Sequence, residues 1–154
     1  MNKLLKILNN TKDTLDKYYT IHKNENYSNG KNSPKDYLEW INKKTTILIN
    51  SSSFVEIPKN KIIRGDVIWV EFGFNIGEEF SGRHPALVLK NGGKTLLVIP
   101  ITSKKPTEKQ LRSKNYLELG KIYNFKSLQR WVNIFNICPI SIERIDFSKE
   151  KRKC

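Results

Sequence analysis

The sequence predicts a mainly β fold, a small antiparallel barrel with an N-terminal α-helical extension. Three observations carry that expectation. Between residues 64 and 103 stand three short apolar runs, Val67-Ile68-Trp69-Val70, Ala86-Leu87-Val88-Leu89 and Leu96-Leu97-Val98-Ile99. Each is rich in branched or aromatic side chains and lies close to Gly or Pro, which marks buried strands rather than helices. Tight turns such as Asn91-Gly92-Gly93-Lys94 join them, with glycines available for positive φ. No strand–helix alternation follows residue 60, which argues against a parallel sheet.

Taken in order, the chain first offers two amphipathic helices. Over residues 2–20, Leu4, Leu5, Leu8, Thr11, Leu15, Tyr18 and Tyr19 recur at spacings of three and four among lysines and asparagines. Residues 22–34 are polar and rich in Asn, Ser and Gly, a loop that contains the solvated His22. Ser33 then reads as an N-cap with Pro34 at the first helical position, and Tyr37, Leu38, Ile41, Thr45 and Leu48 carry the apolar face to Asn50-Ser51-Ser52-Ser53. Residues 1–60 form the helical extension, and two helices alone bury too little to fold by themselves. Ile57-Pro58 to Ile63 is a linker into the barrel domain, residues 61–154.

In that domain Arg64-Gly65-Asp66 turns into a strand at Val67–Phe72, and Ala86–Leu89 and Leu96–Ile101 follow. Residues 104–115 form a basic loop, with Lys104, Lys105, Lys109, Arg112 and Lys114 against Glu108. Tyr116–Leu119 is a short strand, and residues 127–138 form another apolar run with Pro139 at its end. Ile140–Ile145 reads as a terminal strand or a one-turn helix, and the last residues as a frayed tail.

Bulk properties narrow the function. The chain has 154 residues, 38% of them hydrophobic, enough for one real core. No apolar run approaches the roughly 20 residues that span a bilayer, and the N-terminus lacks the features of a signal peptide. Cys138 and Cys154 form no CxxC or Cys/His cluster, so neither a zinc site nor a bound cofactor is expected; the expected setting is the cytoplasm, with both thiols reduced. Against 15 acidic residues stand 28 basic ones, net +13. Residues 1–60 hold 10 basic and 6 acidic side chains, and residues 61–154 hold 18 and 9, so the excess sits mainly with the strands. A polyanionic partner, either nucleic acid or an acidic protein segment, is one reading; a Lys- and Asn-rich composition without functional meaning is the other.

Polar chemistry gathers in the Gly-rich loop from Gly73 to Pro85, with two adjacent glutamates, an arginine and a histidine between core strands. Here the residues resemble a known family. Arg64-Gly65-Asp66-Val67-Ile68-Trp69-Val70, then Gly77, Glu79, Gly82 and Pro85-Ala86-Leu87-Val88-Leu89, is similar to the opening of MazF/PemK-type toxins. Pro100-Ile101-Thr102-Ser103 resembles the family's next patch, and Leu128–Ile145 its closing segment. The resemblance covers about residues 61–147 in order and spacing.

It implies an SH3-like barrel of the CcdB/MazF type, a homodimer, and a metal-independent, sequence-specific endoribonuclease held inactive by an acidic antitoxin. The implied reaction on single-stranded RNA leaves a 2′,3′-cyclic phosphate and a 5′-hydroxyl. That chemistry needs a group to take the 2′-proton, one to protonate the leaving oxygen, and donors for the charged phosphorane. The resemblance assigns the work to Thr102 and to an arginine directly before the proline. In this chain His84 stands at that arginine position and Arg83 lies one residue earlier. Two readings follow. In one, His84 is the acid/base, because imidazole titrates near pH ~6.5, and Arg83 supplies fixed charge. In the other, activity is lost because neighbours in a strand face opposite sides.

The remaining candidates are less specific. Glu79 orients the histidine, acts as a base, or is a solvated loop carboxylate. Ser103, Lys104, Lys105 and Arg112 are candidate RNA contacts, and a solvated loop is the plainer account. Asn133 and Asn136 either read base edges or cap the core edge, and Trp69 and Trp131 either stack on bases or fill the core. Two competing functions stand beside the endoribonuclease: a catalytically inactive RNA- or antitoxin-binding module, and a CcdB-type gyrase poison. The last ranks lowest, because this chain ends in Glu150-Lys151-Arg152-Lys153-Cys154 rather than a tryptophan-containing helix.

Overall fold

The computed structural model describes residues 2–24, 33–51, 61–120, 122, 129–148 and 152–153. The chain divides into two compact units, Met1–Asn42 and Lys43–Cys154.

The first helix, α1 (Lys3–His22), starts where Asn2 Oδ1 accepts the Leu4 N–H at 3.0 Å. That bond satisfies one of the amides a helix N-terminus leaves unpaired. Helix α2 (Pro34–Asn50) is capped reciprocally: Ser33 Oγ accepts the Asp36 N–H and Asp36 Oδ2 accepts the Ser33 N–H, both at 3.1 Å. Ser33 and Pro34 therefore do what the sequence predicts of them. Tyr18 joins the helices, its ring 4.6 Å from that of Tyr37. Neither helix buries a residue completely. Among the described residues no helix is long and apolar enough to cross a membrane. Residues 25–32 of the expected loop and 57–60 of the expected linker lie outside the described residues.

The second unit is an antiparallel sheet. Its strands are β1 (Asp66–Glu71), β2 (Arg83–Asn91), β3 (Thr95–Thr102), β4 (Tyr116–Leu119), β5 (Arg130–Asn133), β6 (Cys138–Ser141) and the two-residue β7 (Arg152–Lys153). They lie in the order β4-β5-β3-β2-β1-β7, and β6 also pairs with β3. The outer edge of β3 is divided: Thr95–Val98 pairs with β6, and Ile101 and Thr102 pair with β5. Among the described residues the path stays open, with β4 and β7 at its ends. This mainly β arrangement with N-terminal helices is compatible with the SH3-like CcdB/MazF-type fold expected from the sequence.

Strand alternation sends apolar side chains to both faces. Ile68, Val70, Phe72, Ala86, Val88, Leu96 and Val98 pack on one face with Ile140, Ile142 and Ile145. Val67, Ile99, Ile101, Ile122 and Val132 pack on the other. Two turns fix the entry to β1. Gly65 adopts φ +91°, which a side chain would disfavour, and its N–H donates to Val88 O at 2.9 Å. The buried Asp66 accepts the Ile63 N–H at 3.0 Å.

Five details differ from the sequence reading. The tail expected to fray contributes β7, whose Arg152 and Lys153 pair with Val67 and Asp66 of β1. Strand β2 begins at Arg83, three residues before the apolar run, so Arg83 and His84 belong to a strand and not to the loop. Segment 104–115 is not all loop: Glu108–Arg112 forms a helical turn, α3, with a Thr107/Gln110 capping box. The apolar run to residue 138 is broken by a 3-10 turn at Ile134–Asn136. The alternative left open for Ile140–Ile145 resolves into both forms: β6 ends at Ser141 and a 3-10 turn covers Ile142–Arg144.

Leu96 and Leu97 are neighbours on β3 with opposite fates, 1% and 38% exposed. Leu96→Ala is expected to cost about 3 kcal/mol through the cavity it leaves, and Leu97→Ala less than about 1 kcal/mol. Urea unfolding of the two variants measures the difference.

Candidate active site

Strand register divides the candidate residues between two faces. Val70 pairs with His84, Trp69 with Pro85 and Glu71 with Arg83. Directly paired residues share a face, so His84 lies with Val70, Ala86 and Val88, and Arg83 lies with Trp69 and Glu71. The half-buried imidazole of His84 meets the Phe80 ring edge-on at 4.6 Å, and Phe80 meets Phe72 edge-on at 5.2 Å. Each aromatic pair fixes its neighbour's rotamer.

Arg83 turns the other way. Its guanidinium lies 5.3 Å from the centre of the Trp69 ring and forms an ion pair with Asp146. Asp146 is itself held in place. Its N–H donates to Trp69 O at 2.9 Å, and its other carboxylate oxygen accepts from the N–H and hydroxyl of Ser148 at 2.9 and 2.6 Å. Arg83 therefore clips the C-terminal segment to β2, beside the Asp146–Trp69 backbone bond that holds it to β1. The structure does not bring Arg83 and His84 onto one face.

Thr102 does reach the face of His84. The β2–β3 ladder includes Ala86 opposite Pro100. His84 and Thr102 each lie two residues beyond that pair, toward the same end of the sheet, and a step of two keeps the face. Thr102 Oγ1 accepts the Lys104 N–H at 3.1 Å, which turns the chain out of β3. Ser103, Lys104 and Lys105 follow it, all exposed, up to the buried Pro106. Arg112 stands further on in α3, exposed and 3.8 Å from Glu108.

The Gly-rich loop has a closed neck. Phe72 N–H donates to Gly82 O at 2.9 Å and Gly82 N–H donates to Gly73 O at 2.7 Å. Gly73 and Gly82 hold φ of +90° and +88°, a conformation other residues seldom adopt. Inside the loop, Asn75 Nδ2 donates to Phe80 O at 2.8 Å. Glu79 is exposed and Oε2 of its carboxylate accepts the Ile76 N–H at 3.3 Å, so it shapes the turn.

Glu79 also lines a cavity of about 550 Å³ between this loop and the chain around residues 135–144, whose walls include Phe72, Phe80, Phe135, Asn136, Cys138 and Arg144. Sequence reasoning missed Arg144. Its Nη1 donates to Phe72 O at 2.9 Å and to Glu71 O at 3.4 Å, across more than seventy residues of chain. A single cation in Ile-Glu-Arg-Ile carries no motif; only the 3-10 turn aims it inward. Burial pushes the Cys138 thiol above its ordinary range, and the nearby Arg144 charge opposes that in part. Asn133 caps the 3-10 turn by accepting the Phe135 N–H at 3.1 Å, and Trp131 is buried. Among the described residues no group of three His, Cys, Asp or Glu side chains is placed to hold a metal ion.

The strands that position these residues coincide with a match to a known family. PemK-like, MazF-like toxins of type II toxin-antitoxin systems match residues 63–153. The chain belongs to that family. The matched segment includes every described strand of the sheet and leaves α1 and α2 outside. A comparison with curated proteins returns no match.

Two outcomes follow from the geometry. Arg83→Ala is expected to destabilise the fold by about 1 kcal/mol, the scale of a part-exposed ion pair and cation–π contact; differential scanning calorimetry reads it as a lower Tm. A raised thiol pKa leaves less thiolate near neutral pH. Cys138 of the folded protein is therefore expected to alkylate more slowly than in urea, followed by peptide mass spectrometry.

Proposed function

We propose that the chain is the toxin of a type II toxin–antitoxin pair and acts as a metal-independent, sequence-specific endoribonuclease on single-stranded RNA. The observation that carries this reading is the placement of His84 and Thr102 on one face, each two residues past the Ala86–Pro100 pair. An imidazole and a hydroxyl at adjoining strand ends suit a reaction whose nucleophile belongs to the substrate.

The 2′-oxygen attacks the adjacent phosphorus and the bond from phosphorus to the 5′-oxygen breaks. The products are a 2′,3′-cyclic phosphate and a 5′-hydroxyl. His84 takes the 2′-proton, and the imidazolium so formed returns a proton to the leaving oxygen, directly or through water. The Thr102 oxygen already accepts from the Lys104 amide, so its O–H is placed to donate to a non-bridging phosphate oxygen. Ser103, Lys104 and Lys105 flank Thr102 and favour the anionic backbone; Arg112 adds steering charge from α3. Glu79 acts through the shape of the loop. Arg83, committed to Asp146 and Trp69, serves as the clip of the C-terminal segment and not as the phosphate contact.

The family and the net charge of +13 support an acidic antitoxin as partner, and family kinship supports a homodimer. A catalytically inactive binding module is the second reading. It is favoured by one observation: the guanidinium beside His84 in sequence faces the other way.

Purified protein is expected to cut single-stranded RNA in EDTA. His84→Ala and Thr102→Ala should each slow cutting by about 100-fold or more, with the fold intact by circular dichroism. A wild-type protein that binds RNA and leaves it uncut selects the inactive module.

A further inference from the structure

We propose that the cavity between the Gly-rich loop and the Ile134–Asn136 turn is a base-reading subsite: it holds one splayed-out nucleotide of the RNA and sets the preference for its base. The inference rests on the endoribonucleolytic or RNA-binding reading of the same face.

The walls of the cavity supply what an unpaired base requires. Phe135 is 76% exposed, although it is large and apolar, and it sits at the rim on a 3-10 turn. Nothing in the turn's own hydrogen bonding calls for an aromatic ring there, because Asn133 provides the cap. A flat ring on an exposed aromatic is the usual stacking platform for single-stranded nucleic acid. Asn136 brings an amide with both donor and acceptor to the same cavity, and Glu79 brings a carboxylate that accepts from base amino and imino groups. Arg144 adds a cation at the wall opposite the loop, held by the carbonyls of Phe72 and Glu71. At about 550 Å³ the cavity is large enough for a nucleoside.

Position links the cavity to the proposed chemistry. Phe80 forms part of its wall, and the centre of its ring lies 4.6 Å from that of His84. A base held there lies one side chain away from the imidazole, so the bound nucleotide is next to the scissile linkage or one step removed. The excess of basic side chains favours an anionic occupant over a neutral or cationic one, and the exposed ring of Phe135 favours one that carries a base.

The test uses the full chain and 2′-fluoro single-stranded oligonucleotides, which bind without being cut, in four sets that differ in the base at each position. Wild type is expected to prefer one or two bases at one position. Phe135→Ala should weaken binding about tenfold and Asn136→Ala should flatten the preference at that position, while Phe135→Trp restores the affinity. Equal affinity and equal base preference in wild type, Phe135→Ala and Asn136→Ala overturn the proposal. So does a Phe135→Ala variant that keeps its RNA affinity and loses only its grip on an acidic peptide, since the cavity then serves a protein partner. The proposal and the cleavage reading fail separately: a wild type that shows the preference but never cuts keeps the subsite and loses the nuclease, and variants that cut unmodified RNA at unchanged sites lose the subsite alone.

Discussion

Strand β2 is bonded along both edges, to β1 and to β3, and that double pairing is the constraint on which the rest of the sheet depends. A strand held on one edge can slip; one held on both cannot move by a residue without exchanging its faces. Here the exchange would drive Leu87 and Leu89 into the cluster built around Ala86 and Val88, and bring those small buried residues to the other side. The packed core therefore sets the phase of the strand. The phase in turn decides that His84 faces Phe80 and that Arg83 faces Trp69 and Asp146. The chemistry available at the end of β2 follows from the burial of side chains several residues away.

The second constraint is the neck of the loop. Two short backbone bonds between Phe72, Gly73 and Gly82 close it, and both glycines hold positive φ. A closed neck delivers Phe80 to the same place relative to β2, so the ring beside His84 is fixed by backbone as well as by packing. The far wall of the cavity comes from the opposite end of the sequence. Arg144 reaches back to the carbonyls of Glu71 and Phe72, acceptors left where β1 ends its ladder. A charged donor satisfies those carbonyls and ties the last turn to the first strand. The bridge between Val70 and Ile145 and the Asp146–Trp69 bond secure the same join from the neighbouring residues.

Much of this was legible in the residues. Apolar runs of branched side chains marked β1, β2 and β3, and Ser33-Pro34 marked the start of α2, because both signals act locally. Period-two alternation also implies that Arg83 and His84 face opposite sides of their strand, and the register has them so. What could not be read was long-range. The Asp146 partner of Arg83 is 63 residues away in the chain, and the aim of Arg144 depends on a 3-10 turn whose sequence would equally suit a strand. Segment 104–115 looked like a plain basic loop because its lysines hid the capping box of Thr107 and Gln110. The apolar run before Cys138 looked continuous because Ile134 and Phe135 are hydrophobic, yet both are exposed in the turn that interrupts it.

Charge deserves to be separated into what attracts and what acts. The excess of basic residues is a property of the whole chain, and it draws in a polyanion without placing one. Within the candidate site the individual cations differ. Arg112 pairs with Glu108 in full solvent, where such a pair is worth little, so its charge stays available to a passing phosphate. Arg83 pairs with Asp146 while lying against Trp69, and withdrawing it would cost both contacts. The guanidinium nearest to His84 in sequence is therefore engaged on the other face of the strand. Under the proposed reading, the fixed positive charge must come from the Lys104–Lys105 side, next to Thr102, and the proton transfers from the histidine. Steering and chemistry are carried by different residues, and β2 keeps them apart by putting adjacent side chains on opposite faces.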